Sequence, residues 1–76
     1  MDINSYLRSI GGKEEFAEKC ETSLGHLRNI GYGYRACDAA LAVKIERHSG
    51  GAVTRRDLRP DDWHLIWPEL VDMDAA

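Results

Sequence analysis

The segment "EEFAEKCETSLGHLRNIGYGYR", residues 14–35, decides the fold of this chain. Its first part carries apolar side chains at helical spacing, namely Phe16, Ala17 and Cys20, while glutamates occupy the opposite face. This amphipathic pattern predicts a helix from Lys13 to Cys20.

A short polar break follows this helix, and a second helix is expected after the break. Thr22 and Ser23 are both good N-cap residues, so the second helix is predicted from about Ser23 to Ile30. Gly31 and Gly33 are expected to end it. Two short helices joined by so short a turn have the spacing of a helix–turn–helix unit.

The residues before this unit predict one more helix. Ile3, Leu7 and Ile10 recur at helical spacing, and the pair Gly11 and Gly12 stops the pattern.

The residues after the unit predict a longer helix and a short one. Asp38 is placed to cap a helix from Ala39 to about His48, and Thr54 with Asp57 three residues later resembles a capping box. The predicted fold is therefore all-α, a compact domain of four to five helices over residues 1–70. Residues 71–76 are expected to form a frayed acidic C-terminal tail.

The formal net charge of −3 conceals an uneven distribution of charge along the chain. Residues 23–59 carry seven lysines and arginines against three acidic residues, a net charge of +4, whereas residues 60–76 carry five acids and no base. Attraction of phosphate depends on the local field rather than on the total charge. The acidic total therefore does not exclude binding of nucleic acid by the middle of the chain.

Several function classes are disfavoured by the same sequence. A chain of 76 residues has little room for both a core and a deep active-site cleft, and it contains no recognisable arrangement of catalytic side chains, so an enzyme is not expected. Its cysteines and histidines lack zinc-ligand spacing, and no metal or cofactor is expected. Two cysteines favour a reducing compartment, and the longest apolar run is far shorter than a membrane span, so a cytoplasmic protein is expected.

A family resemblance rests on two segments, residues 14–35 and "IERHSGGAVTRRDLRPD", residues 45–61. Together they resemble the Cro-like, YdaS-type phage and prophage transcriptional regulators, which belong to the lambda-repressor-like helix–turn–helix class. The resemblance covers roughly residues 3 to 62, and its second segment is the more distinctive. The chain departs from the family at Glu21, where glycine is usual, and at Thr22, where an aliphatic residue is common.

The resemblance implies a regulator that reads an operator with the helix at about residues 23–30. With Leu27 and Ile30 inward, a rotation of 100° per residue turns Arg28 and Asn29 outward, where they suit guanine and adenine edges. Lys13 and the residues that follow the helix suit backbone phosphates. The candidate DNA-binding residues are Lys13, Thr22, Ser23, Leu24, Gly25, His26, Arg28, Asn29, Tyr32, Tyr34 and Arg35.

The C-terminal part of the chain has two interpretations. A homodimer is expected at least on DNA, because one such domain buries little surface, and its interface residues are predicted to be Trp63, Leu65, Ile66, Trp67 and Leu70. Alternatively, both tryptophans complete the core. Two other functions remain open: an antitoxin that binds DNA and a toxin partner, and an interaction module that has lost DNA binding.

Overall fold

The computed structural model describes residues 1–71. Over this range the chain is helical, with no strand, and residues 69–71 are again helical. The six helices before them are α1 (Ile3–Ser9), α2 (Lys13–Lys19), α3 (Leu24–Tyr32), α4 (Ala39–His48), α5 (Arg55–Leu58) and α6 (Trp63–Ile66). The predicted all-α class is confirmed, with α5 and α6 as single turns. The predicted tail falls, apart from Val71, on residues outside the described range.

The helix starts lie where the capping residues predicted them. The Ser23 hydroxyl accepts a hydrogen bond from the His26 backbone N–H at 3.1 Å. The Asp38 carboxylate accepts one from the backbone N–H of Leu41 at 2.7 Å. Each cap satisfies a donor that the first helical turn leaves without a partner, which fixes the residue at which the helix begins.

The capping box predicted before α5 is also present. The Thr54 hydroxyl accepts from the Asp57 backbone N–H, and the Asp57 carboxylate accepts from the Thr54 backbone N–H at 3.0 Å. Two reciprocal bonds hold a helix of only four residues in place.

The turn between α2 and α3 is a Schellman motif with Glu21 in the left-handed conformation. The backbone N–H of Thr22 donates to the Ala17 carbonyl at 3.0 Å, and that of Glu21 donates to the Glu18 carbonyl at 2.9 Å. Glu21 has φ of 60° and is the only described residue other than glycine with a positive φ. The backbone thus takes the left-handed conformation that favours glycine at the end of a helix.

The predicted end of α3 at Ile30 was two residues too early, because Gly31 does not stop the helix. The helix continues to Tyr32, and Gly33, with φ of 83°, provides the left-handed end. Gly31 instead lies against α1: a Cβ atom at this position would come within 2.4 Å of the Asn4 side chain. This glycine therefore permits close packing of α1 on α3 rather than a turn.

The core draws on every helix except α5 and α6, and the chain beyond α6 closes it. Its buried apolar residues are Ile3, Leu7, Phe16, Ala17, Cys20, Leu27, Cys37, Leu41, Ala42, Ile45, Val53 and Trp67. Trp67 is 9% exposed, so in the single chain this tryptophan belongs to the core. Trp63 is only half-buried, and Leu65 is 74% exposed.

Candidate nucleic-acid interface

The helix α3 has one buried side and one open side. Leu27 is fully buried, whereas the predicted base-contacting residues Ser23, Arg28 and Asn29 are exposed. Within residues 1–71 neither the Arg28 nor the Asn29 side chain makes a hydrogen bond or ion pair. Gly25 lies on the same open side, and a Cβ atom there would meet nothing within 4 Å. The open side thus presents an arginine and an amide that are available for an external partner.

Three of the predicted contact residues are only partly exposed. Thr22, Leu24 and His26 are half-buried, and Leu24 packs against the core cluster. Leu24 was expected to lie towards the outward side of α3. Its side chain is drawn partly inward because the burial of an apolar group at the core edge removes it from water.

The start of α2 forms a groove with α3 on the open side. Lys13 is half-buried there and lines a groove of about 410 Å³ with Leu24 and Arg28. Two carboxylates of the first turn of α2, Glu14 and Glu15, line the same groove. Lys13 therefore lies beside Arg28, and its surroundings on this side are acidic.

A second groove lies between α1 and α3, and it brings in a residue that the sequence did not indicate. Arg8, in the last turn of α1, lines this groove of about 200 Å³ together with Lys13 and Arg28. The sequence carried no local signal for Arg8. This residue is 20 positions before Arg28, and only the packing of α1 on α3 brings the two together.

Two exposed tyrosines follow the open side of α3. Tyr32 is 62% exposed and Tyr34 77% exposed, and their ring centroids are 5.9 Å apart. Arg35 next to them is exposed as well. None of the three residues covers the core. These residues extend the exposed polar surface of α3 beyond its C-terminal end.

Most cations outside this surface are engaged within the chain. Arg55 Nε lies 2.8 Å from a Glu46 carboxylate oxygen, and Arg59 pairs with Asp62 at 2.8 Å. Both arginines therefore pair with carboxylates of the same chain. The Arg56 guanidinium lies over the Trp63 ring, 4.4 Å from its centroid.

Glu21 is also engaged by a neighbouring helix. Its carboxylate lies 3.2 Å from the Nζ of Lys44 in α4. The negative charge at the turn is therefore partly offset by a cation of the same chain, although both side chains remain substantially exposed to solvent.

Both cysteines are buried, and the described residues contain no metal-ligating cluster. Burial raises the pKa of the Cys37 thiol to about 11 and also raises that of Cys20, so both thiols stay protonated and unreactive at neutral pH. Within residues 1–71, no group of three His, Cys, Asp or Glu side chains is placed to hold a metal ion. In the same range no helix has the length and apolar character needed to cross a membrane.

Comparison with known proteins places the chain among regulators. No family model matches it. The chain is 43% identical over 47 residues to a prophage transcriptional regulatory protein of Escherichia coli (strain K12), and the match spans 62% of this chain and 71% of that protein. A match of this identity over most of the relative's length shows common descent, so the chain belongs to the family of prophage transcriptional regulatory proteins.

Proposed function

We propose that this chain regulates transcription by binding an operator sequence in double-stranded DNA, with α3 in the major groove. The observation that carries the proposal is the open side of α3, where Arg28 and Asn29 are exposed and make no hydrogen bond or ion pair within residues 1–71. Arginine pairs with guanine, and asparagine with adenine, through two hydrogen bonds each. Gly25, with open space around it, lets the helix approach base edges closely.

The proposal that α3 reads DNA in a Cro-like manner rests on the contacts that fix this helix to the rest of the domain. The Ser23 cap and the turn at Glu21 fix the first turn of the helix, and Leu27 anchors the opposite side in the core. A recognition helix needs such support, because base edges are read only when the side chains hold a defined register on the duplex. Exposed Tyr32 and Arg35 would then contact the backbone beyond the base-reading residues.

The operator DNA is expected to be bound by two copies of the chain in the bacterial cytoplasm. A single domain of this size buries too little surface on DNA for strong specific binding, so two copies on a nearly palindromic site are favoured. The exposed Leu65 and the half-buried Ile66 and Leu70 are available for the contact between copies, whereas Trp67 is occupied by the core.

A mobility-shift experiment tests the proposal directly. The DNA is the region upstream of the chain's own gene, with a shuffled duplex of the same length as competitor, at two salt concentrations. We expect the wild-type protein to shift the upstream DNA preferentially. The variant Arg28→Ala should flatten the preference, with a loss of about 1 to 3 kcal/mol of discrimination at the base pair that it reads.

The matched control is Arg47→Ala, which removes an exposed arginine from the last turn of α4. It should leave the preference for the upstream DNA unchanged. Absence of any shift by the wild-type protein at low salt would remove the basis of the proposal.

An antitoxin with a toxin partner is the second candidate function. It is favoured by the acidic residues 60–76, which carry five acids and no base and suit a basic protein partner. Co-purification of a basic protein encoded beside this gene, lost when the exposed acids Asp61 and Glu69 are neutralised, would support this function.

A further inference from the structure

The groove between α1 and α3 has the chemistry of an anion site. We propose that it seats one backbone phosphate of the bound DNA, and that Arg8 is therefore a DNA-contacting residue. The phosphate seat is the groove lined by Asn4, Leu7, Arg8, Lys13, Arg28 and Tyr32. This inference deepens the proposed function and rests on it.

Lys13 lines two grooves, and the charges around the seat make it the more favourable of the two for a phosphate. Arg8, Lys13 and Arg28 come from three different helices and line the seat together, and no carboxylate lines it. The adjoining groove contains Lys13 and Arg28 as well, but also Glu14 and Glu15. A phosphate oxygen is attracted by three cations in the first groove and meets two carboxylates in the second. The DNA backbone therefore passes on the α1 side.

The Arg8 guanidinium has N–H donors that are available for a phosphate. The side chain is exposed, and one guanidinium nitrogen donates to the Ser5 hydroxyl at 3.2 Å. The Ser5 hydroxyl in turn donates to the carboxylate of Asp2, the N-cap of α1, at 2.9 Å. A guanidinium carries five N–H donors in a planar fork that matches a phosphate. The Ser5 contact orients the group and leaves most of the fork available.

The packing of α1 on α3 fixes the location of the seat. The buried Asn4 side chain donates to the Arg28 carbonyl at 3.4 Å and occupies the space that a side chain at Gly31 would need. This close approach places the last turn of α1 beside the open side of α3. Tyr32, one residue after Gly31, also lines the seat. The seat is thus held in register with the base-reading residues Arg28 and Asn29.

The salt dependence of DNA binding tests this inference. Each phosphate contact releases counterions and contributes about 0.9 to the slope of log K against log salt. Between about 50 and 200 mM salt, Arg8→Ala should reduce the slope by about 1 for both upstream and shuffled DNA. Affinity for both duplexes should fall about five- to tenfold at 0.1 M salt, and the preference between them should not change.

Arg8→Lys and Arg47→Ala complete the design. Arg8→Lys keeps the charge and should restore most of the slope, whereas Arg47→Ala, which changes an exposed arginine outside the seat, should behave as the wild type. An unchanged melting temperature for Arg8→Ala excludes an effect through folding. If the wild type binds DNA and Arg8→Ala keeps its slope, the seat is disproved and the proposed function stands. If the wild type binds no DNA, both fall together.

Discussion

At the scale of single residues, Glu21 shows how a turn can be built with a residue that does not favour it. An L-residue with φ of 60° places its Cβ close to the following carbonyl oxygen, at a cost of about 1 kcal/mol or more, which glycine avoids. We expect Glu21→Gly to exceed Glu21→Ala in unfolding free energy by about 1 kcal/mol, measured by urea denaturation. Both variants lose the ion pair with Lys44, so that contribution cancels between them.

The comparison of Glu21→Ala with the wild type isolates the ion pair, because both residues carry a Cβ in the left-handed conformation. The Glu21 side chain is 74% exposed, so its pairing with Lys44 should contribute no more than about 1 kcal/mol, and high salt should reduce it. Equal stabilities for the glycine and alanine variants would mean that the left-handed conformation carries no measurable strain at this turn.

At the scale of the elements, the contact between α1 and α3 is set by one glycine. Gly31→Ala improves helix propensity by up to about 1 kcal/mol, but its Cβ would lie 2.4 Å from the buried Asn4 side chain. Such overpacking typically costs about 1 to 3 kcal/mol. We expect Gly31→Ala to lower the unfolding free energy by about 1 kcal/mol, and the same change in an Asn4→Ala background to raise it.

Gly25→Ala is the matched control within the same helix. A Cβ at this position meets nothing within 4 Å, so the substitution should stabilise the protein by a few tenths of a kcal/mol to about 1 kcal/mol. If Gly31→Ala stabilises the protein as Gly25→Ala does, the packing of α1 on α3 is looser than the distance of 2.4 Å implies.

The same elements show what local sequence could and could not predict. The caps at Ser23, Asp38 and Thr54 were predicted because the side chain and the N–H that it satisfies lie within three residues. The role of Gly31 was missed because its partner is 27 residues away. Arg8 was missed for the same reason, since only tertiary packing brings it beside α3. Local chemistry thus located the helices, and their packing determined which side chains share a surface.

At the scale of the whole molecule, several cations make internal contacts, and three others lie together on one outer surface. Arg55 and Arg59 pair with carboxylates of the same chain near its C-terminal end. Arg8, Lys13 and Arg28 instead converge where α1, α2 and α3 meet. A protein with a net charge of −3 can therefore present a local positive field to DNA. That arrangement favours one orientation of approach.

Near the C-terminal end of the described chain, substitutions at two neighbouring positions should affect stability and assembly separately. Trp67 is 9% exposed, and the Arg55 guanidinium lies 5.3 Å from its ring centroid, so Trp67→Ala should remove core contacts and cost about 3 to 5 kcal/mol. Leu65 is 74% exposed, so Leu65→Ala should change the unfolding free energy by less than about 0.5 kcal/mol.

Sedimentation velocity with and without upstream DNA then reports assembly. Leu65→Ala should remain folded and lower the fraction of complexes that contain two copies, because the side chain that it removes is available only to a neighbour. A folded, monomeric Trp67→Ala would contradict the core assignment. A dimeric wild type whose assembly Leu65→Ala leaves unchanged would place the contact between copies elsewhere. Together, Leu65→Ala and Trp67→Ala therefore distinguish a residue that stabilises the folded domain from one that contacts a second copy on DNA.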